Sequence, residues 1–216
     1  MTLRVQATAA ACAFHRALAR SAVAAGLAVA SATAAAQGVV TLYGGARDGG
    51  DFIDDNTGAT VNLDSGAAFS LSLDWPLTDG RQGQIFYSFQ RSALPGAVSN
   101  QTGELPVNIN YLHGGGRVFF HGTQSTSAGY VVGGLGITYF SPGLGGLSSE
   151  LRPSGNLGIG YQWMLSKQIM LRTELRGYLT LVNSKGGFFC SGGCVVSIRG
   201  DTMTQVEGLL GLSFGF

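Results

Sequence analysis

The chain has 216 residues, of which 12% are charged and 45% hydrophobic, with 35 glycines and a formal net charge of +1. That charge content is about half the ~25% of an ordinary globular protein and shows no basic excess, which excludes a nucleic-acid-binding surface. Glycine recurs inside patterned segments rather than at every third position, which excludes collagen. No apolar run outside the N-terminus reaches the ~18 residues of a spanning helix.

The first element in chain order reads as a secretory signal. Arg4, Arg16 and Arg20 supply positive charge, "SAVAAGLAVASA" from Ser21 to Ala32 is an apolar core of suitable length, and "ATAAAQ" offers small residues at Ala34 and Ala36. Cleavage is expected before Gln37, giving a signal peptide over 1–36 and one mature domain over 37–216. Cys12 is not a lipoprotein cysteine, because the apolar run follows it instead of preceding it. Cleavage removes three of the 13 basic residues and none of the 12 acidic ones, so the mature chain is mildly acidic.

From Val39 onward the apolar period is two. "TLYGGA" opens loosely, with glycine on alternate positions. "AFSLSLDW" puts Phe69, Leu71, Leu73 and Trp75 on one side and Ser70, Ser72 and Asp74 on the other. "QIFYSFQR" sets Ile85, Tyr87 and Phe89 against Gln84, Phe86, Ser88 and Gln90. "LPVNINYLHGGGRVFF" begins with Val107, Ile109 and Tyr111 opposed by Asn108 and Asn110, then loses phase at Gly114–Gly116, where a bulge is expected. "VVGGLGITYF" follows. "LGIGYQW" aligns Leu157, Ile159, Tyr161 and Trp163. "IMLRTELRGYL" sets Ile169, Leu171, Leu175 and Leu179 against Arg172, Glu174, Arg176 and Tyr178. "VEGLLGLSFGF" closes the chain in strict alternation.

These are eight strands, and their connections alternate in length. Short turns near Thr78, Thr123 and Lys167 are separated by longer loops near Asp55, Gly96, Leu147 and Cys194. An up-and-down meander trimmed at one end gives this pattern. A soluble sandwich or lipocalin-like barrel also has period two, but its apolar side points inward. Here the opposite side is small and polar. The apolar side gathers Trp75, Tyr87, Tyr161, Trp163, Phe214 and Phe216 near strand ends, as in the aromatic girdle of a lipid-facing barrel. The expected fold is all-β: a closed antiparallel eight-stranded transmembrane barrel with its apolar side outward.

On the signal, the "TLYGGA" opening, "GGLGITYF", the "FFCSGGC" loop and the terminal "GLLGLSFGF", the mature chain resembles the small eight-stranded outer-membrane β-barrel proteins of Gram-negative bacteria, of the OmpA/OmpW type. The resemblance implies export through the periplasm to the outer membrane, with lipids and the insertion machinery as partners. Phe214 and Phe216 would then form part of the insertion signal.

Candidate chemistry is sparse. Cys190 and Cys194 bracket "SGG" in a loop of an exported chain and are expected to form a disulfide worth about 2 kcal/mol, stiffening the loop more than the barrel. Arg172, Glu174, Arg176 and Glu207 fall on the inward side of neighbouring strands. Three readings stand there: a structural ion-pair network, a solute pathway or a catalytic cluster. The interior of so small a barrel is filled by side chains, which favours the network. His113 and His121 have no nucleophile elbow or His-x-Ser pattern beside them, and none of the glycine runs leads from a strand into a helix as a phosphate loop does. No cofactor or metal is expected. The function read from the sequence is a non-enzymatic outer-membrane barrel with a structural, surface-interaction or small-solute role, its loops meeting solutes or surface partners. A lipid-modifying outer-membrane enzyme and a soluble periplasmic ligand-binding barrel are the alternatives.

Overall fold

The structure is a computed structural model that describes residues 38–53, 60–94, 105–120, 127–143, 148–182, 188–190, 194–196 and 202–216. The expected signal peptide, His121, Thr123 and the loop positions Asp55, Gly96 and Leu147 lie outside the described residues.

The strands are β1 (Val39–Arg47), β2 (Asp51–Ile53), β3 (Thr60–Asn62), β4 (Gly66–Thr78), β5 (Arg81–Leu94), β6 (Leu105–Phe119), β7 (Ala128–Pro142), β8 (Glu150–Met164), β9 (Ile169–Leu181), β10 (Phe188–Cys190), β11 (Cys194–Val196) and β12 (Thr202–Gly215). Eight of them close a barrel in the order β1-β12-β9-β8-β7-β6-β5-β4, while β2–β3 and β10–β11 form two separate hairpins. Every barrel ladder is antiparallel, and β1 pairs with β12 on one edge and β4 on the other. Closure leaves no unpaired edge, so every strand's backbone donors and acceptors find a neighbour.

The strands are strongly staggered. A row of paired residues leaving β1 at Arg47 runs through Glu207, Arg176, Gly158, Val132, Arg117 and Gln82 to Pro76. Pro76 lies two residues past Asp74, the partner of Val39. One circuit therefore displaces the register by more than the nine-residue length of β1, and such stagger requires strands tilted against the barrel axis.

Alternation assigns the two sides of the wall. Phe69, Leu71, Leu73, Ile85, Leu157, Ile159, Leu175, Leu179, Leu210 and Leu212 face outward and are exposed, Leu157 by 73%. Their neighbours in sequence, Ser70, Ser72, Asp74, Gln84, Ser88, Arg172, Glu174, Arg176 and Glu207, are buried inside. A water-soluble barrel has the reverse distribution.

β6 departs from the expectation in two ways. Its apolar residues Val107, Ile109 and Tyr111 point inward and are buried, and Asn108 and Asn110 occupy the outer wall. Nor does the phase break at Gly114–Gly116. His113 and Arg117 stay buried inside, Leu112 and Val118 stay exposed outside, and the register against both neighbours is continuous. Gly115 and Gly116 serve close backbone approach rather than an inserted residue: a Cβ on Gly115 would stand 2.0 Å from the Gly133 carbonyl oxygen and one on Gly116 2.8 Å from that of Gln82, whereas one on Gly114 would meet nothing within 4 Å. The one register irregularity of the β4–β5 ladder is between Pro76 and Thr78, next to the turn where Gly80 has φ 74°. That left-handed conformation suits glycine.

Candidate functional site in the barrel interior

The interior is organised around three carboxylates. Asp74 accepts hydrogen bonds from Gln84 Nε2 at 2.6 Å, Arg172 Nη1 at 2.7 Å, Ser72 Oγ at 3.1 Å and Arg117 Nη1 at 3.3 Å. Glu174 accepts from the hydroxyls of Tyr43 and Tyr130, both at 2.7 Å, from Arg117 Nη2 at 2.9 Å and from Arg176 Nε at 2.7 Å. Glu207 accepts from Arg47 Nη2 and Ser88 Oγ, both at 3.2 Å, from Ser70 Oγ at 3.3 Å and from the Tyr178 hydroxyl. Four arginines, Arg47, Arg117, Arg172 and Arg176, thus share these carboxylates, and every ion-paired side chain among them is fully buried. Buried charges are tolerable only when paired and hydrogen-bonded on most sides, and each carboxylate here has four donors.

The sequence-derived set of Arg172, Glu174, Arg176 and Glu207 is distributed over this network rather than forming one cluster. Arg176 pairs with Glu174, Arg172 with Asp74, and Glu207 with Arg47. Asp74, Arg47 and Arg117 were missed. Asp74 and Arg47 carry the alternation signal, since both fall on the polar side of their strands. Arg117 was hidden by the supposed break in phase at the preceding glycines.

Aromatic and apolar side chains fill the remaining space. Tyr111 stacks on Tyr178 with ring centroids 4.4 Å apart, and the Arg47 guanidinium lies 4.8 and 5.0 Å from those two rings. Phe119, Ala128, Tyr130 and Val132 form a buried cluster toward the end with short turns. Toward the end with long connections Leu63, Val107, Ile109, Phe140, Val182 and Met203 are buried.

His113 sits within a constellation that looks catalytic. Its Nε2 is 2.8 Å from Ser154 Oγ and its Nδ1 is 2.6 Å from Asn156 Nδ2. A serine nucleophile needs Nε2 to accept the hydroxyl proton, which requires the hydrogen on Nδ1 and an oxygen facing it. The amide of Asn156 is turned the other way. Its Oδ1 accepts from Arg176 Nη1 at 3.1 Å, so its NH2 faces His113. Nδ1 is then the acceptor, and Nε2–H donates to Ser154. Flipping the amide would set its NH2 against a guanidinium and forfeit a charge-assisted bond worth about 1.5–3 kcal/mol. The arrangement holds the imidazole in the tautomer that cannot activate Ser154. Ser154 and His113 are also buried, whereas the described depression of about 910 Å³, lined by Phe120, Gly129, Ile159, Tyr161 and Leu175 among others, lies elsewhere on the wall.

The outward aromatics divide by position. Trp75, Tyr161, Trp163, Phe214 and Phe216 lie at the end with short turns, and Tyr161 and Trp163 stand 4.7 Å apart. Trp75 lies over Gly83, its partner on β5, where a Cβ would meet the indole at 2.3 Å. Phe216 lies over Gly38 in the same manner, a Cβ there falling 2.7 Å from its ring. Glycine beneath an aromatic ring lets the ring lie flat on the sheet and shield its backbone. Tyr87 is apart from this group: it lies in mid-strand, the backbone partner of Leu71 and Leu112, and its hydroxyl donates to Asn110 Oδ1 at 2.8 Å. Cys190 and Cys194 are backbone partners across the β10–β11 hairpin, and their side chains lie outside the described residues.

Comparison with solved structures places this architecture. The chain is similar to Neisserial surface protein A (NspA), with TM-score 0.55 and 15% identity over 83% of this chain and 96% of that one. It is similar also to the outer membrane protein OprG from Pseudomonas aeruginosa, with TM-score 0.51 and 15% identity over 84% and 96%. No protein-family model and no curated protein sequence matches it. The fold is that of the small eight-stranded outer-membrane β-barrels.

Proposed function

We propose that the protein is an integral outer-membrane barrel with a sealed interior, acting without catalysis as a rigid support for its long external connections. One observation carries the reading: the fully buried ion pairs of Asp74, Glu174 and Glu207 lie inside, and the wall around them exposes leucine, isoleucine and aromatic side chains. Hydrocarbon is the medium that suits such a surface, and a closed barrel is one of the two structures that can span it.

The same interior argues against a solute pathway. Its cross-section is occupied by arginine, tyrosine and glutamine side chains bonded to one another, with apolar residues toward both ends. Breaking one of these pairs to admit an ion would leave a charge buried alone. The imidazole tautomer at His113 argues against hydrolysis through Ser154. Export to the outer membrane, pairing with the insertion machinery through Phe214 and Phe216, a Cys190–Cys194 disulfide and contacts of the loops with surface partners complete the proposal.

The test combines two measurements on the purified mature chain. A heat-modifiable gel shift on refolding in detergent or lipid is expected for a membrane barrel, and a water-soluble monomer without detergent would overturn that assignment. Planar bilayers holding the refolded barrel are expected to show no stable conductance steps, and reproducible single-channel openings would overturn the sealed interior.

A further inference from the structure

Toward the long connections, the outer wall of β5–β7 breaks the apolar pattern. A row of paired residues crosses it through Phe69, Phe89, Asn110 and Tyr139, on β4, β5, β6 and β7. One row nearer the long connections, Arg91, Asn108 and Ser141 are backbone partners on three adjacent strands. All three face outward, Arg91 exposed and the others half-exposed. Arg91 has no ion-pair partner among the described residues, and its guanidinium stands 5.8 Å from the Phe89 ring centroid. Beneath the row, Asn110 uses its oxygen on Tyr87, and its NH2 reaches the Tyr139 carbonyl oxygen only at 3.5 Å.

A guanidinium and two amides on the outside of a membrane barrel need polar company, which acyl chains cannot supply. Their position supplies it. Phe89 and Tyr139 stand on the two strands flanking β6, in the halves that lead to the long connections, as interfacial aromatics do, and a side chain beside or beyond such aromatics lies among lipid headgroups. The inversion of β6 is therefore not a defect of patterning: its inner side needs Val107 and Ile109 to fill the interior, and its outer side presents amides at headgroup depth.

We propose that the Arg91–Asn108–Ser141 row, with Asn110 beneath it, binds the phosphorylated sugar headgroup of an outer-leaflet glycolipid. The inference rests on the outer-membrane reading above. A single planar cation matches a phosphate, which it can engage through two parallel hydrogen bonds. The flanking amides and hydroxyl match the hydroxyl and amide groups of a sugar, each offering both a donor and an acceptor. The surface sits toward the external end of the barrel, where such a lipid presents its headgroup.

The experiment uses the refolded mature barrel, its heat-modifiable shift first verified, in phosphatidylcholine nanodiscs. These are doped either with a bis-phosphorylated lipid A glycolipid or with phosphatidylglycerol, and retained lipid is counted by native mass spectrometry. The glycolipid is expected to be retained in preference to phosphatidylglycerol. Arg91→Gln and Asn108→Leu are each expected to lower its retention roughly tenfold, the loss of one hydrogen-bonding site, and Arg91→Lys, which keeps the charge but not the paired geometry, is expected to fall between wild type and Arg91→Gln. Equal retention by the wild type and both variants would overturn the assignment, as would phosphatidylglycerol retained as strongly as the glycolipid. Failure to insert into any bilayer would instead sink the outer-membrane reading, and the site with it.

Discussion

Gly38 and Phe216, the first described residue and the last of the chain, exchange both of their backbone hydrogen bonds. Gly38 N donates to Phe216 O at 3.1 Å, and Phe216 N donates to Gly38 O at 3.0 Å. The pair extends the β1–β12 ladder past Val39 and Gly215, and the Phe216 ring covers the glycine from outside. The terminal residue is thus part of the seam and part of the outer surface at once. Removing it takes away one ladder pair at the barrel's rim and little else. Deletion of Phe216 is expected to leave refolding in detergent nearly intact while lowering accumulation in the outer membrane of cells several-fold, because its ring belongs to the proposed insertion signal. Quantitative blotting of membrane fractions beside an in vitro refolding gel checks this. Normal cellular levels would remove the insertion role.

The charged network predicts a second, larger effect. Glu174→Ala strips a shared partner from Arg117, Arg176, Tyr43 and Tyr130. Removing one member of a buried pair costs about 3–5 kcal/mol, since the remaining charges stay buried without compensation. Urea titration in lipid vesicles measures it. A loss below about 1 kcal/mol would mean that water enters the interior freely.

The imidazole of His113 offers a spectroscopic test. Nitrogen-15 shifts of the ring are expected to show the proton on Nε2 in the wild type. Asn156→Asp replaces the pinned amide by a carboxylate that accepts from both Arg176 and His113, so the proton is expected to move to Nδ1. Ser154 would then face an acceptor nitrogen. A wild-type spectrum with the proton already on Nδ1 would undo the argument against a serine nucleophile.

Facing predicts an asymmetry between strands. Leu71→Arg places a charge on the apolar wall and is expected to cost about 2–4 kcal/mol near mid-bilayer. Asn110→Arg, on the outward polar side of β6, is expected to be tolerated within about 1 kcal/mol. Equal penalties in a folding titration would mean that β6 is not inverted.

Orientation is tested by labelling intact cells that carry Cys190→Ser and Cys194→Ser. Ser149→Cys, beside the start of β8, is expected to react with an impermeant maleimide, and Asp79→Cys, in the tight β4–β5 turn, is not. The reverse pattern would turn the barrel over.

Most of this architecture was legible because a membrane barrel writes its two sides into alternate residues. Phe69, Leu71 and Leu73 against Ser70, Ser72 and Asp74 need no tertiary information to be sorted. β6 failed because both its sides break the rule locally: the interior takes Val107 and Ile109 at its filled end, and the outer wall takes amides. Period two fixes which residues share a side, but not which side faces in. The partners inside were illegible for a different reason. Arg172 meets Asp74 across a separation of 98 residues in the chain, brought together by a stagger that no strand reveals alone.

The bonding of Glu174 has a consequence for assembly. Its four donors come from β1, β6, β7 and β9, so the sheet must curl until its first and seventh barrel strands approach before it is satisfied, and Arg47 waits further for Glu207 on β12. A growing sheet of six or seven strands would present half-bonded arginines and carboxylates to the bilayer along its open edge. Stepwise insertion of single hairpins into bare lipid is therefore an uphill route. The chain should instead cross as a concerted unit, its polar side kept wet until the seam at Gly38 and Phe216 shuts, and its folding in vesicles should show one cooperative transition.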